Sequence, residues 1–206
     1  MPGTIIDANA KVGESVFFGT YPQTAEGNDR TSIEWIVLEV QEDRLFLLSR
    51  YGIDARSYND SDAYVTWETC TLREWLNCEF LTSAFNELER SAILSTELDN
   101  TIQSWYLVTG GNNTIDKVFL LKSAEVDKYV NVSKNGEDST ILQMKPTEYA
   151  LGIRRKREES WLLREPGHAQ YSVAYMLNGD WRRCPVRRTV YVRPALWVRL
   201  NPMIND

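Results

Sequence analysis

Histidine and cysteine are scarce in this 206-residue chain, and their scarcity excludes several classes of site. His168 is the one histidine, so a zinc site built on several histidines is excluded, and any Ser-His-Asp or Cys-His set would need it as the base. The three cysteines are an odd number without a C-x-x-C pair, which argues against a disulfide framework and suits a reducing compartment. We expect Cys70, Cys78 and Cys184 to be unpaired thiols, and we expect neither a bound metal nor a cofactor.

Long apolar runs and catalytic motifs are also missing. No run of about 18 apolar residues could span a bilayer, and the N-terminus lacks the basic segment and apolar segment of a secretory signal. The sequence contains no G-x-S-x-G, P-loop, G-x-G-x-x-G or H-E-x-x-H motif, and no pair of carboxylates is singled out by its spacing. We therefore expect a non-catalytic protein without membrane insertion, located in the cytoplasm or carried on a phage particle.

The composition that remains is typical of a folded core. Hydrophobic residues make up 43% of the chain, and seven Trp and ten Tyr are present. A chain of this length needs no disulfide or metal to stabilise it. There is no internal repeat and no linker that divides the chain, so we predict a single domain over residues 1–206.

Charge is distributed unevenly along the chain. Residues 1–150 carry 12 Lys and Arg against 24 Asp and Glu, whereas residues 151–206 carry 11 against 5. A basic end on an acidic body either steers an acidic partner to the protein or is attracted to its own acidic half. The sequence alone favours neither reading.

The first half of the sequence predicts strands followed by helices. Alternating apolar residues predict a strand at 15–19 and a hairpin formed by Ile33–Val40 and Arg44–Ser49. From residue 66 the apolar spacing becomes helical. We predict a second helix that is capped by Thr82 or Ser83 and buries three apolar side chains. These are Phe85, Leu88 and Ala92.

The second half predicts mainly strands again. Val118–Leu121 is predicted as a short buried strand, followed by a brief helix capped by Ser123. The stretch from Asn131 to Glu159 is polar and has no clear period. Further strands are predicted at Trp161–Arg164, at Tyr171–Met176 before an Asn178-Gly179 hairpin turn, and at Val190–Leu200, where Pro194 suggests an edge or a bulge. The order strands, helices, strands predicts an α+β fold.

Two basic segments could carry function. The run from Arg154 to Arg157 is either a phosphate-binding patch or a solvated loop; we favour the solvated loop and expect no nucleic-acid partner. The segment from Trp181 to Tyr191 sets aromatic rings among four arginines. Arg and Trp are over-represented at the positions of an interface that contribute most to binding energy. This segment is therefore either a binding face or a hairpin whose exposed side chains have no binding role.

Nine short segments, taken together, resemble a known family. They are, in chain order, Phe18–Tyr21, Ile33–Leu38, Leu48–Tyr51, Thr66–Asn77, Asp116–Leu121, Trp161–Gly167, Ala174–Tyr175, Gly179–Asp180 and Val192–Trp197. In this combination the chain resembles the bacterial domain of unknown function 6273 family over nearly its whole length. The family's ending, a Trp-Leu-Arg segment, a variable stretch and a V-R-P-A-L strand, is similar to the C-type-lectin-like fold. That fold is shared by formylglycine-generating enzymes and by the variable proteins of diversity-generating retroelements.

The resemblance implies a fold and a binding face. The fold would be α+β, with a mixed, mostly antiparallel sheet and two or three helices packed on it. In the retroelement variable proteins the ligand-binding side chains lie just before the last strand. Carried over by position, the implied ligand-binding residues are His168, Gln170, Tyr171, Trp181, Arg182, Arg183, Arg187, Arg188, Thr189 and Tyr191. We expect the side chains of the segment from Trp181 to Tyr191 to be largely exposed.

The chain also departs from the patterns of these families. Glu165 stands where a serine is usual, and the stretch from Trp181 to Tyr191 replaces residues that tend toward Gly, Ser, Tyr and Asn. The reactive cysteine pair of formylglycine-generating enzymes is not matched, because Cys184 is the only cysteine in that part of the chain. The calcium-site pattern of sugar-binding lectins is not matched either.

Three hypotheses follow from the sequence. The first is a recognition domain, which could be a retroelement variable protein, that binds a protein or another acidic ligand through its C-terminal loops. The second is an enzyme for a small substrate that uses His168, Glu165 or Cys184. The third is a structural module of a phage or surface assembly. The sequence leaves the oligomeric state open.

Overall fold

The computed structural model describes residues 9–101, 107–130 and 141–200, which form short strands and helices in the order β, α, β. The strands are β1 (Ser15–Tyr21), β2 (Thr31–Val40), β3 (Arg44–Ser49), β4 (Asp54–Arg56), β5 (Thr96–Leu98), β6 (Thr114–Asp116), β7 (Ser160–Pro166), β8 (Ser172–Leu177), β9 (Asp180–Pro185), β10 (Val190–Val192) and β11 (Ala195–Arg199). The helices are α1 (Thr71–Trp75), α2 (Leu81–Ala84), α3 (Glu87–Ala92), α4 (Ser123–Tyr129) and α5 (Glu148–Arg154). The fold is therefore α+β, as the order of patterns predicts.

A four-stranded antiparallel sheet joins the first and last strands of the described chain. Its order is β1-β2-β3-β11. The predicted hairpin of β2 and β3 is confirmed, with Ile36 opposite Leu48 and Val37 opposite Leu47. The Trp35 indole is fully buried and donates a hydrogen bond of 2.7 Å to the Phe18 carbonyl, which ties β2 to β1.

A five-stranded sheet forms the second layer and carries the C-terminal segments that the sequence marks as functional. Its order is β4-β10-β7-β8-β9, and every neighbouring pair is antiparallel except β10 and β7. The Asn178-Gly179 hairpin is confirmed. Both residues have positive φ, 50° and 84°, which matches the twist of the two strands that they connect. β5 and β6 pair with each other in a separate two-stranded sheet.

The final strand is divided between the two large sheets, which corrects the prediction of one strand over Val190–Leu200. β10 pairs with β4 and β7, whereas β11 pairs with β3. Pro194 stands between them, and its carbonyl accepts a hydrogen bond of 2.9 Å from the Ser49 amide. Proline has no backbone N–H to donate to a neighbouring strand, so the ladder is interrupted at Pro194. The apolar alternation continues through this position, although the strand pairing changes from one sheet to the other.

The helices differ from their predicted limits. Residues 71–84 form one continuous helical segment with a π-helical turn at Leu76–Phe80, so Thr82 lies inside it and donates to the Cys78 carbonyl at 2.8 Å. The following helix, α3, is capped by Asn86, whose side chain accepts from the Glu89 amide at 3.0 Å. Leu88 is 67% exposed, so the prediction that it is buried is wrong; α3 begins at Glu87, four residues later than a cap at Thr82 requires.

Three smaller differences concern residues 118–159. Val118–Leu121 is buried as predicted, but it makes a single bridge, between Phe119 and Ala195, instead of a strand. Ser123 is the first residue of α4, and the cap position is Lys122. The polar stretch contains α5, which the sequence does not predict; residues 131–140 of that stretch lie outside the described residues.

One hydrophobic core lies between the elements and includes residues from both large sheets and from the helical segment 71–84. Trp35, Trp67 and Trp161 are its largest apolar side chains, each fully buried. In the described parts of the chain, no helix has the length and apolar character needed to cross a membrane.

Candidate functional site

A tight loop after β7 presents the first group of predicted ligand-binding residues. The Gly167 amide donates to the Ser172 carbonyl and the Ser172 amide donates to the Ala169 carbonyl, both at 2.9 Å. A Cβ atom at Gly167 would lie 2.6 Å from the Ser172 hydroxyl and 3.1 Å from the Cβ of Arg183, so a larger residue would require these side chains to shift. The loop therefore holds residues 168–171 in a fixed position at the end of the sheet.

Three rings in this region form a cluster on the surface, which we call the aromatic cluster: Tyr64, His168 and Tyr171. The Tyr171 ring meets the Tyr64 ring edge-on at 5.6 Å between centroids and the His168 ring edge-on at 5.4 Å. Tyr64 is 75% exposed and Tyr171 is 45% exposed. The His168 ring nitrogens lie 3.3 Å from the Tyr171 hydroxyl and 3.2 Å from the Ser172 hydroxyl.

Backbone hydrogen bonds connect the loops that carry this cluster. The Val65 amide donates to the Gln170 carbonyl at 3.0 Å, and the Val186 amide donates to the Tyr171 carbonyl at 3.1 Å. The Gln170 side chain donates to the Thr109 carbonyl at 3.4 Å. Near Thr109, Leu107 is 78% exposed. Four loops that are distant in sequence are thus tied together around the aromatic cluster.

Arg183 and Arg187 lie on the same side of the molecule as the aromatic cluster. Arg183 is exposed on β9, with its Cβ close to Gly167. Arg187 pairs with Asp62 at 3.2 Å, and both side chains are mostly exposed. A pair of this kind contributes about 0–1 kcal/mol to stability, so it leaves both charges available to a partner.

The remaining predicted residues lie near the other end of β7, where arginines cover tyrosines. We call this group, Arg154, Tyr175, Arg188 and Tyr191, the arginine–tyrosine stack. The Arg154 guanidinium lies 4.8 Å from the centre of the Tyr191 ring, and that of Arg188 lies 5.2 Å from the centre of the Tyr175 ring. Arg188 also donates to the Tyr175 hydroxyl at 3.3 Å.

Tyr191 is fully buried in this stack, so the prediction that it is exposed is wrong. It lies on β10 between β4 and β7, where both neighbours cover its strand. Its hydroxyl donates to the Lys156 carbonyl, and burial raises the pKa of this hydroxyl. The period-2 pattern cannot tell a strand at the sheet edge from one inside the sheet, which is why the sequence misplaces this residue.

The other residues of the segment vary in exposure. Trp181 is half-buried and packs against the core, and Arg188 is half-buried on Tyr175. Arg182 is exposed and pairs with Asp180 at 3.0 Å. Thr189 is exposed, and its carbonyl accepts a hydrogen bond of 3.1 Å from Arg154. The segment is therefore partly structural, and its side chains do not form one continuous exposed face.

The basic run that begins at Arg154 is not a uniform solvated loop. The Arg154 side chain is buried, pairs with Glu158 at 2.9 Å and also donates to the Ser160 hydroxyl. Arg155 ends α5 in the left-handed region, with φ at 59°. Arg157 is exposed and lies 3.5 Å from Glu148. One arginine of the run is thus structural, and the others face solvent.

The groups that could act as nucleophiles or bases are dispersed, and Cys70, Cys184 and Glu165 are buried. All three cysteines are free, which confirms the prediction. Burial raises the pKa of Cys184 to about 11 and that of Cys70 to about 12. The Glu165 carboxylate accepts from the Ser123 amide at 3.3 Å, which turns it toward α4. Over the described residues, no group of three or more His, Cys, Asp and Glu side chains converges as a metal site would.

Tyr64 and Leu107 belong to the exposed apolar surface, but sequence reasoning misses both. Each is a large apolar residue in a segment without helical or strand periodicity, and this was the available signal. Their proximity to residues 168–171 depends on pairing between loops more than 60 residues apart, such as the contact between Gln170 and Thr109.

Comparison with known proteins identifies the family of the chain but indicates no activity. No curated protein and no solved structure matches the chain. The model of a family described as a domain of unknown function, DUF6273, matches residues 42–200. The match begins in the turn between β2 and β3, so the resembling segments Phe18–Tyr21 and Ile33–Leu38 lie before it. It includes the aromatic cluster, the arginine–tyrosine stack and every predicted ligand-binding residue. The chain belongs to the DUF6273 domain family.

Proposed function

We propose that this chain is a non-catalytic recognition domain that binds a protein partner through the aromatic cluster. The observation that carries the proposal is that Tyr64 and Tyr171 are 75% and 45% exposed and yet touch each other in a defined edge-on contact. Tyrosine is enriched where binding energy concentrates, because its ring offers a large contact area with few rotatable bonds. Loops that are already tied together lose little conformational entropy when a partner binds.

The charges around the cluster favour a partner with an acidic rim. Arg183 and Arg187 flank the cluster, and the last 56 residues carry 11 Lys and Arg against 5 Asp and Glu. Exposed arginines at the edge of an apolar patch steer an oppositely charged surface and fix its orientation. A protein is favoured over a nucleic acid because the exposed rings lie apart from the basic run at residues 154–157.

The surroundings of each candidate reactive group support a function without catalysis. Ser172 lies 3.2 Å from the His168 ring, but its hydroxyl is buried and is also hydrogen-bonded to the Ala169 carbonyl at 3.0 Å. Cys184 is buried with a raised pKa, so it is a protonated thiol and a poor nucleophile near neutral pH. Of the other candidates, the His168 ring lies beside the Tyr171 and Ser172 hydroxyls, whereas the Glu165 carboxylate accepts from the Ser123 amide.

The finer family relations form part of the same proposal. We infer a C-type-lectin-like arrangement from the pairing of the last strand into the sheet that begins the chain. A role as the variable protein of a diversity-generating retroelement would make residues 168–171 and the exposed part of 181–189 the varied positions. A neighbouring reverse-transcriptase gene with a near-identical template repeat would support that role, and invariant codons at these positions among close copies would contradict it.

The recognition function is tested by removing the two exposed rings together. The parent protein is used to capture proteins from a cell-surface extract, and the captured protein is then purified and its affinity measured directly. We expect Tyr64→Ala with Tyr171→Ala to weaken that affinity by about 2 kcal/mol or more, which is about thirtyfold. The melting temperature should stay nearly unchanged, because truncations at exposed positions change stability by about 0.5 kcal/mol or less.

Phe17→Ala is the matched control. Phe17 is also an exposed aromatic residue, at 52%, but it lies on β1 and outside the tied loops. Its removal should leave the affinity unchanged. Equal affinity of the double variant and the parent would show that the aromatic cluster is not the binding surface.

A further inference from the structure

A pocket lies away from the aromatic cluster, between β4, α1 and the loop that leads into β10. Its cavity volume is about 260 Å³, and polar groups line most of it. The lining residues include Arg56, Ser57, Asp60, Thr71, Trp75 and Thr189. Thr189 comes from the predicted ligand-binding set, but here it faces a pocket and not the exposed rings.

Arg56 is held in this pocket with most of its hydrogen-bond donors unused. Its guanidinium carbon lies 3.9 Å from the centre of the Trp75 ring, and its Nε lies 3.5 Å from the Asp54 carboxylate. The Nε atom is buried and has no hydrogen-bond partner in the described parts of the chain. Its terminal amino groups likewise donate to no acceptor among the residues that the structure describes. An aromatic face and one carboxylate thus fix the guanidinium plane, while its outer edge stays available.

Asp54 compensates the charge of Arg56 only in part. Its two oxygens already accept hydrogen bonds from the Tyr21 hydroxyl and the Ala55 amide, both at 2.6 Å. Burial raises the pKa of Asp54, which makes its negative charge harder to maintain. The pocket therefore has a cation whose position is determined by the fold and whose charge is not fully balanced there.

Two more observations point to a ligand at this position. The Trp75 indole nitrogen is buried and has no hydrogen-bond partner among the described residues, and the Trp75 side chain is more than nine-tenths buried. A buried polar atom without a partner is uncommon in folded proteins. The Thr189 side chain also makes no hydrogen bond to the described residues, so it presents a free hydroxyl to the same space.

We infer that this pocket binds a small monocarboxylate that carries its own hydrogen-bond donor, with the carboxylate on the outer edge of Arg56. A planar guanidinium matches a carboxylate through two parallel hydrogen bonds. Asp60 determines which anion the pocket prefers. Its carboxylate also lines the pocket, where it accepts a hydrogen bond of 3.0 Å from the Ser57 hydroxyl. It repels a doubly charged phosphate more strongly than a singly charged carboxylate, and it can accept from a hydroxyl or amino group of the ligand.

The test uses lactate, propionate and inorganic phosphate as probes. Lactate and propionate have the same carboxylate and nearly the same size, but only lactate has a hydroxyl donor. Binding is followed by the NMR signals of the Trp75 indole N–H, assigned with Trp75→Phe, and of the Arg56 Nε–H. We expect a saturable shift with lactate in the millimolar range and a weaker one with propionate. The Asp60→Ala variant, which removes the acceptor, should remove the difference between them.

Arg56→Lys keeps the charge beside Asp54 but loses the planar fork, so lactate affinity should fall by about tenfold or more. Arg182→Lys is the matched control, because Arg182 is a surface arginine paired with Asp180, and it should leave the affinity unchanged. If Arg56→Lys does not fold, Thr189→Val provides the same test by removing one hydroxyl, and it should weaken lactate binding severalfold.

The inference is overturned if no probe gives a saturable shift, if phosphate binds more tightly than lactate, or if both pocket variants bind lactate as the parent does. The Tyr64→Ala and Tyr171→Ala double variant should bind lactate normally. The proposal for the pocket and the proposal for the aromatic cluster can therefore be contradicted independently of each other.

Discussion

Tyrosine and arginine side chains occur near both ends of β7, and the two ends use them differently. In the arginine–tyrosine stack, Tyr191 is fully buried under Arg154, and Tyr175 is buried under Arg188. In the aromatic cluster, Tyr64 and Tyr171 are largely exposed, and they touch each other. The same residue types therefore stabilise the fold at one end and remain on the surface at the other.

The two ends differ in whether their polar atoms and ring faces already make contacts within the fold. Arg154 donates to Ser160, Glu158 and Thr189, so moving it toward a ligand would break several contacts at once. Arg187 makes one exposed ion pair, with Asp62, that solvent can replace. A segment rich in arginine and aromatic residues is thus a candidate binding site only where its contacts within the fold are few.

The largest expected contrast comes from truncating one tyrosine at each end. Tyr191→Ala removes a fully buried aromatic ring and should cost about 3–5 kcal/mol of unfolding free energy, comparable to Trp161→Ala in the core. Tyr171→Ala should change it by about 0.5 kcal/mol or less. Urea unfolding measures both. Similar costs at the two ends would mean that the aromatic cluster is also structural.

Native-state alkylation compares a buried thiol near the stack with an exposed thiol elsewhere. Burial raises the pKa of Cys184 to about 11, so its thiolate population should be about a hundredfold below that of an ordinary thiol. Cys78 is exposed and should react quickly with iodoacetamide. Mass spectrometry should show one modified cysteine in the native protein and three after unfolding. Rapid labelling of Cys184 in the native state would contradict its burial.

The two arginines should also differ in their contribution to stability. Arg154→Met removes the hydrogen bonds to Ser160, Glu158 and Thr189 and leaves Ser160 buried, which should cost about 2 kcal/mol. Arg187→Met breaks a surface pair and should cost about 0.5 kcal/mol or less. Thermal and urea unfolding of both variants provide the comparison. If Arg187→Met is as costly as Arg154→Met, the distinction between the two ends fails.

The smallest contrast concerns the two hydroxyl groups alone. Tyr191→Phe removes the hydrogen bond to the Lys156 carbonyl beside α5 and should cost about 1 kcal/mol. Tyr171→Phe removes a long, exposed contact of 3.3 Å to His168 and should have no measurable effect on unfolding. A measurable loss of stability in Tyr171→Phe would show that His168 depends on this hydroxyl to order the loop.

Local sequence patterns are sufficient to predict the elements whose structure depends on residues that are neighbours along the chain. Alternation and a polar turn predict β2 and β3, and Asn178-Gly179 predicts the hairpin of β8 and β9, because a type of turn with two positive φ values needs these residues. The odd number of cysteines predicts free thiols. The order of the elements predicts an α+β fold, and the DUF6273 membership follows from segments spread along the chain.

Contacts between distant segments decide the rest. Pro194 suggests an edge or a bulge, but only the pairing of β10 with β7 and of β11 with β3 shows that the chain changes sheet there. Tyr191 and Tyr171 both fall in segments predicted as strands, and their burial differs because one lies inside a sheet and the other in a loop. Tyr64 joins the candidate site, and Arg56 faces a pocket with Thr189, through packing between residues more than 100 positions apart. The sequence by itself determined the two hairpins and the α+β order of the elements. The tertiary structure decided the other element limits and which side chains remain free to bind, because these depend on neighbours that local patterns do not specify.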